Sequence, residues 1–230
     1  MYNVIFDMDG VIFDSENTLL GCWIDTAAGY GIDEESVRRA YIKCIGCNRY
    51  QTVEIYRNAF LEILGEERLR SMWDESNELH RKRYPDDALP MKAGVREILD
   101  YLKNSGIPVG IASSTRKDAV EKRIEKAGLS DYFVGCVGGD AVKISKPAPE
   151  IYLLACRSFG FAPENTFAIE DSFNGIRAAH AAGMRPVMVP DIVTADDEMR
   201  SLSEKICADL FEVMDYLRSV CPASAEDRVK

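Results

Sequence analysis

Apolar residues fall into short runs that alternate with amphipathic stretches of helical spacing over most of the chain. After residue 93, four runs have the length and composition of buried strands, at 107–112, 133–137, 166–169 and 185–189. Apolar spacing predicts helices around them, over 94–102, 117–127, 149–159 and 173–182. Together with an apolar run at 4–6, this rhythm predicts an α/β fold with a parallel sheet and helices on both faces.

Residues 15–88 follow another pattern, because they lack strand signals and show helical periodicity over 16–30, 34–44, 50–64 and 66–83. We therefore predict an inserted α-helical cap domain over 15–88, within a Rossmann-like core made of 1–14 and 89–221. The tail adds a predicted helix at about 209–219, and 222–230 is expected to be frayed. An apolar stripe in the insert is predicted to be its core: Val53, Ile55, Tyr56, Ala59, Phe60, Ile63 and Leu64.

The first predicted strand ends in two aspartates, Asp7 and Asp9, followed by Gly10. In extended backbone, residues i and i+2 point to the same side, so the two carboxylates share one small space and repel each other. Mg²⁺, which prefers carboxylate oxygen, would relieve that repulsion. The alternative is an acidic turn that closes an edge strand.

Three more polar motifs follow predicted strands or precede helices. Ser113 and Ser114 stand just before the helix predicted at 117. They either bind a phosphate group or serve as an ordinary N-cap. Lys146 precedes Pro147 and Pro149, which would hold it in a fixed place. Glu170-Asp171 ends the strand at 166–169, as a second acidic pair or as a cap of the next helix. Right-handed crossovers would bring all four motifs to one edge of the sheet.

These motifs and their order resemble those of the haloacid-dehalogenase-like hydrolases, in particular the branch with beta-phosphoglucomutase and small sugar-phosphate phosphatases. The resemblance implies that Asp7 attacks phosphorus to form an aspartyl-phosphate, while Asp9 protonates the leaving oxygen and later deprotonates water. It implies Mg²⁺ held by the Asp7 carboxylate, the Asp9 backbone carbonyl and Asp171, with Glu170 close by. Dehalogenases of this superfamily lack the second acid, so Asp9 points away from carbon–halogen cleavage.

Substrate recognition is expected from residues on both sides of the site. Ser113, the next backbone N–H at Ser114, and Lys146 would bind the phosphoryl oxygens. In the cap, Gly46-Cys47-Asn48-Arg49 matches a Gly-x-x-Arg pattern of the sugar-phosphate branch, so Arg49 is either a contact to a distal oxyanion or a surface residue. The basic run 80–83 is either a second basic cluster of the cap that contacts the substrate or, as we favour, a solvated helix face. Asn174 either orients the ligands of the metal or is an ordinary surface asparagine.

Composition narrows the classes of partner. The 230 residues carry a net charge of −10, which argues against nucleic acid, and a phosphorylated substrate therefore needs local cations. No apolar stretch reaches the ~20 residues of a membrane span, and the start lacks a basic signal region. Seven scattered cysteines indicate reduced thiols and a cytoplasmic location. With only His80 and His180 in the chain, the Cys44-x-x-Cys47 pair is not expected to bind zinc.

We hypothesise a Mg²⁺-dependent phosphatase that acts on a small phosphorylated metabolite, with a sugar phosphate as the expected substrate. The sequence leaves the oligomeric state open and is compatible with a monomer. The alternative is a phosphomutase, which would return the phosphoryl group to another hydroxyl. Beta-phosphoglucomutases usually carry a histidine a few residues after the motif that ends here at Asp14, and residues 15–20 contain none. A third hypothesis is a non-catalytic binding protein that kept the fold.

Overall fold

A computed structural model describes residues 2–47, 49–85 and 88–221, so the predicted frayed tail at 222–230 lies outside the described residues. Within them, six parallel strands form one sheet in the order β3-β2-β1-β4-β5-β6. The strands are β1 (Asn3–Phe6), β2 (Val109–Ser113), β3 (Cys136–Gly138), β4 (Thr166–Glu170), β5 (Arg185–Met188) and β6 (Lys205–Ile206). The predicted parallel sheet is confirmed.

Helices form the insert and cover both faces of the sheet. They are α1 (Ser15–Gly29), α2 (Glu34–Ile42), α3 (Arg49–Arg83), α4 (Val95–Asn104), α5 (Lys117–Lys126), α6 (Glu150–Phe159), α7 (Phe173–Ala181), α8 (Asp197–Leu202) and α9 (Leu210–Val220). Val4 and Phe6 pack in one apolar cluster with α4, α5 and α9, whereas Ile5 packs in another with α6 and α7. Because strand side chains alternate between faces, this division shows helices on both sides.

The order of the strands brings the predicted motifs together. Along the chain the sheet grows from β1 to β2 and β3, and then reverses so that β4 pairs with the other side of β1. In open parallel sheets, ligands bind at the carboxyl ends of the strands where such a reversal occurs. The ends of β1, β2 and β4, where Asp7, Ser113 and Glu170-Asp171 stand, are therefore neighbours.

The insert builds an apolar core of its own, around Trp23, Tyr56 and Trp73, whose rings pack within 6 Å of one another. Gly65 has a φ of 72°, which breaks α3 into the two helical parts that the sequence predicts. This separate core supports a cap, although the bounds 15–88 stay a prediction.

The predicted apolar stripe of the insert is only partly correct. Tyr56, Phe60 and Leu64 are buried, but Ile63 is 64% exposed, and Val53 and Ala59 are exposed as well. The cause is tertiary, because α1 and α2 cover only the side of α3 that carries the three buried residues. Helical spacing alone does not show how wide a face the neighbouring helices will cover.

The tail contains two short elements that the sequence analysis missed. Helix α8 has six residues and β6 has two, which are too few for a periodic pattern to be detected. The Asp196 side chain accepts a hydrogen bond from the Met199 backbone N–H, so an N-cap residue marks the start of α8. The predicted helix at 209–219 is present as α9.

Gly175 allows a close approach of α7 to the end of β4. A Cβ on this residue would lie 1.9–2.0 Å from the carboxyl carbon and both oxygens of buried Glu170. We expect Gly175→Ala to lower the free energy of unfolding by about 1–3 kcal/mol, because a packed neighbour must move. In Gly21→Ala, where nothing lies within 4 Å, stability should stay equal or rise by up to about 1 kcal/mol. Urea unfolding measures the stability of both variants. A Gly175→Ala midpoint equal to that of wild type would contradict the close contact between Gly175 and Glu170.

Candidate active site

A cavity of about 690 Å³ lies between the carboxyl edge of the sheet and the helical insert. Six of the eight predicted site residues line it: Asp7, Asp9, Ser114, Lys146, Asp171 and Arg49. The other two, Ser113 and Glu170, are fully buried behind this wall. The structure therefore brings together side chains that are up to 164 positions apart in the chain.

Lys146 is the centre of the buried part of this site. Its Nζ donates to Asp7 Oδ1 at 2.5 Å and to Glu170 Oε1 at 2.6 Å, and all three side chains are at most 8% exposed. Pro147 follows Lys146 directly, in a cis peptide bond. The loop thus presents one ammonium group to two carboxylates that come from two neighbouring strands.

Burial dominates the electrostatics of the acids here. It raises the pKa of Asp7 to about 8, although the nearby Lys146 acts in the opposite direction. Burial also raises the pKa of Asp171 well above its ordinary value, with a further contribution from Glu170. Burial opposes the charge of Lys146, but the Asp7 and Glu170 carboxylates outweigh it and raise its pKa. The acids therefore carry a cost of ionisation that one lysine does not remove.

Glu170 faces into the protein, where donors from three residues hold its carboxylate. Oε1 also accepts from the Tyr152 hydroxyl at 2.6 Å, and Oε2 accepts from the Ser172 hydroxyl at 3.1 Å. This geometry favours Glu170 as the counter-charge of Lys146, and its predicted role as a metal ligand stays a prediction that these contacts do not favour. Tyr152 was not singled out from sequence because it belongs to the apolar face of α6.

Asp171 lies against the loop that follows β1. A Cβ on Gly10, whose φ is +81°, would fall 2.2 Å from Asp171 Oδ2, so glycine is required there for both conformation and space. In the described residues, no three His, Cys, Asp or Glu side chains cluster as metal ligands. Asp7 and Asp171, two buried acids of one cavity, nevertheless fit a Mg²⁺ ion that takes its other oxygen ligands from backbone and water.

Asp9 has different partners from Asp7. Its Oδ1 accepts from Arg123 Nη1 at 2.8 Å, and its Oδ2 accepts from the Thr115 hydroxyl at 2.6 Å. The buried Ser113 hydroxyl is 3.4 Å from the same Oδ2 and accepts a hydrogen bond from the Thr115 backbone N–H. Arg123 was not predicted from the sequence, although a charged residue three positions after the apolar Val120 lies on the inward face of α5 and is a detectable signal.

The insert contributes Arg49 to the cavity from the first residue of α3. Among the described basic side chains of the cavity wall, Arg81, Arg116, Arg123 and Lys146 each form an ion pair, with Glu78, Asp118, Asp9 and Asp7. No ion pair is found for Arg49 within the described residues. Arg49 is exposed.

Two further residues of the insert face the cavity. His80, predicted to be on a solvated helix face, instead places Nε2 3.1 Å from the Thr18 hydroxyl, whereas Arg81, Lys82 and Arg83 are exposed as predicted. Burial lowers the pKa of His80, and nearby Arg123 acts in the same direction. Burial raises the pKa of Glu16 to about 7, against the effect of the Tyr41 hydroxyl, which donates to it at 2.7 Å.

The Cys44-x-x-Cys47 pair lies on the wall of the same cavity. Burial raises the pKa of both thiols, to about 12 for Cys44, so the thiolate needed for redox chemistry is disfavoured. Asn174 donates to Cys47 Sγ at 3.7 Å, so it connects α7 with the insert.

No helix of the described residues has the length and apolar content of a membrane span.

Comparison with known proteins agrees with this arrangement. Residues 4–189 match the family model described as haloacid dehalogenase-like hydrolase. The chain belongs to the haloacid dehalogenase-like hydrolases. This result confirms the resemblance drawn from the four motifs, and with it the assignment of the chain to the hydrolases.

Relatives of this family member include both phosphatases and mutases. The chain is 33% identical to the Phosphorylated carbohydrates phosphatase of Thermotoga maritima, over 81% of this chain and 84% of that protein. It is 30% identical to the Beta-phosphoglucomutase of Bacillus subtilis, over 89% of this chain and 95% of that protein. The crystal structure of beta-phosphoglucomutase from Clostridium difficile matches with a TM-score of 0.70 at 24% identity, covering 95% of this chain and 96% of that one, and shows the shared fold.

The raised pKa of Asp7 predicts a pH-dependent stability in the metal-free protein. The unfolded chain ionises Asp7 near pH 4, whereas burial raises the pKa of the folded group to about 8, so the protein should lose stability as pH rises through that window. In the presence of a chelator, the free energy of unfolding measured in urea should fall between pH 5 and pH 8 for wild type, and should fall less for Asp7→Asn. Added Mg²⁺ should reduce this loss at pH 8. If the stabilities of wild type and Asp7→Asn changed in parallel with pH in chelator, the raised pKa of Asp7 would be contradicted.

Proposed function

We propose that this chain is a Mg²⁺-dependent phosphatase that hydrolyses a small phosphorylated metabolite, with a sugar phosphate as the expected substrate. The observation that carries the proposal is the buried contact of Lys146 with Asp7 in a cavity that also contains Asp171. The printed name of the relative from Thermotoga maritima, a phosphatase of phosphorylated carbohydrates, supports both the reaction and the substrate class.

Asp7 is the proposed nucleophile. Lys146 contacts its Oδ1, which leaves Oδ2 to form a bond with phosphorus while the bond to the leaving oxygen breaks. Asp9 donates a proton to that leaving oxygen. In the second step Asp9 takes a proton from water, the water oxygen bonds to phosphorus, and the Asp7 carboxylate is released with inorganic phosphate.

Neutralisation of charge is the second requirement of the reaction. The Asp7 carboxylate, the Asp9 backbone carbonyl and Asp171 would hold Mg²⁺, which would supply positive charge to the acids and to the phosphoryl oxygens. Lys146 supplies the other positive charge, and the Ser114 backbone N–H and the Ser113 hydroxyl would donate hydrogen bonds to the phosphoryl oxygens. The net charge of −10 makes this local concentration of cations necessary.

Asp7→Asn tests the nucleophile. We expect phosphate release to fall below detection while the unfolding transition remains cooperative, because the amide cannot attack phosphorus. In wild type with Mg²⁺, beryllium fluoride should bind Asp7 alone in a crystallographic adduct. Asp131→Asn, which alters an exposed carboxylate outside the cavity, should keep wild-type turnover.

Three results would revise the proposal. Turnover of Asp7→Asn near the wild-type rate would remove Asp7 as nucleophile, and an adduct on another residue would require another mechanism. Binding without turnover by wild type, across several dozen phosphorylated metabolites with Mg²⁺, would favour a non-catalytic binding protein. The same screen identifies the substrate if the proposal is correct.

A phosphomutase is the second candidate, favoured by the 30% identity with the Beta-phosphoglucomutase of Bacillus subtilis. It would use the same core residues, with a substrate hydroxyl in place of water. The absence of a histidine in residues 15–20 weighs against it. Incubation with β-glucose 1-phosphate and catalytic glucose 1,6-bisphosphate separates the two, because a mutase gives glucose 6-phosphate without free phosphate.

Arg49 is the proposed contact for a distal anionic group of the substrate. For such a substrate, Arg49→Ala should raise KM at least ~10-fold with little change in kcat, because a charge-assisted contact common to ground and transition states is lost. Arg57→Ala is the matched control, since Arg57 also lies on α3 but pairs with Glu66 outside the cavity wall. Equal KM values for the two variants would assign Arg49 to the surface.

A further inference from the structure

We propose that Arg123 is a positioning residue for Asp9, and that Arg123 and Thr115 together form a clamp that fixes the Asp9 carboxylate at the cavity wall. This inference rests on the proposed function, because it gives Asp9 a place from which to act. Both clamp residues belong to the segment that runs from the end of β2 into α5, and both line the cavity.

The clamp uses both oxygens of the carboxylate. Arg123 Nη1 donates to Oδ1 at 2.8 Å, and the Thr115 hydroxyl donates to Oδ2 at 2.6 Å. A carboxylate held at one oxygen can still rotate about its own bond, whereas one held at both oxygens has a defined plane. Hydrogen bonds with an ionised partner are also shorter and stronger than neutral ones.

Burial distinguishes this contact from an ordinary surface ion pair. The side chains of Arg123 and Asp9 are each only 21% exposed, whereas the i,i+4 pair Lys117–Glu121 of the same helix is more than 50% exposed at both residues. Moving a guanidinium out of water carries a penalty that a well-placed carboxylate offsets. Arg123 is therefore held in the site by Asp9, and Asp9 by Arg123.

Neighbouring basic groups do not duplicate this role. His80 reaches the same part of the cavity from the insert, but its Nε2 is hydrogen-bonded to Thr18. Lys146, on the buried side, contacts Asp7 and Glu170. Among these three cationic or imidazole side chains, Arg123 alone makes the contact with Asp9.

Position matters because Asp9 must reach two different atoms during turnover. In the first step it faces the leaving oxygen, and in the second it faces the attacking water, each within hydrogen-bond reach. A displacement of ~1 Å at such a group can cost about 100-fold in rate. The clamp is expected to affect kcat, whereas a residue that binds substrate would affect KM.

Arg123→Met and Arg123→Lys test this assignment, with Lys126→Met as a control that removes one positive charge from the exposed side of α5. For the substrate of the wild-type enzyme, Arg123→Met should lower kcat about 10- to 100-fold, because a displacement of ~1 Å at Asp9 would slow proton transfer, and should change KM less than about 3-fold. Arg123→Lys should recover part of the loss, and Lys126→Met should stay within about 2-fold of wild type. A large rise in KM at constant kcat would instead make Arg123 a substrate-binding residue and overturn the proposal.

A double-mutant cycle with Asp9→Asn gives the sharper result. If Arg123 acts through Asp9, Arg123→Met should cause little additional loss in the Asp9→Asn background, measured with an activated aryl phosphate whose leaving group needs no proton. Full additivity would overturn the proposal. Thr115→Val tests the other half of the clamp in case Arg123→Met does not fold, and wild-type kcat in that variant would also count against it.

A readout without turnover separates this inference from the proposed function. In wild type, the side-chain N–H signals of Arg123 in an NMR spectrum should be resolved, because a held guanidinium rotates slowly. In Asp9→Asn they should approach the averaged signals of a mobile arginine. Averaged signals already present in wild type would end the clamp proposal, whereas failure of wild type to release phosphate would end the proposed function alone.

Discussion

The site depends on one buried ammonium group between two carboxylates, Lys146 with Asp7 and Glu170. Each of these charges is nearly removed from water, so none is tolerable without the others. Loss of one partner from such a pair typically costs about 3–5 kcal/mol, because an uncompensated charge stays behind. The contact therefore aligns the end of β1, the loop before α6 and the end of β4 with one another. The orientation of Asp7 in the cavity follows from this alignment.

The sheet supplies the remaining constraint. Because β1 lies between β2 and β4, these three strands end side by side. The residues that directly follow them are therefore held close together. Gly10 and Gly175 are the places where this closeness is visible, since a Cβ at either would overlap the carboxyl group of Asp171 or Glu170. The helical insert then covers the edge, with an apolar core of its own and both polar and aromatic residues toward the cavity.

Two acids that stand two residues apart come to occupy different surroundings. Asp7 is buried beside an ammonium group, and burial raises its pKa, whereas Asp9 is partly exposed and bonded to a guanidinium and a hydroxyl. The two carboxylates thus have different partners and different exposure, although both belong to one loop. The β2–α5 segment, rather than the loop itself, creates the difference by supplying Thr115 and Arg123.

By itself, the sequence determined the strands, the main helices, the four motifs and the edge of the sheet at which they meet, because strand and helix periods are local and parallel topology has few solutions. The tertiary structure decided which partners the charged side chains have and which apolar residues are covered. It turned Glu170 toward Lys146 and Tyr152, brought Arg123 to Asp9 and His80 to the cavity, and left Ile63 uncovered. The physical reason is that a charged side chain's partner, and the cover over an apolar face, come from elements far away in the chain.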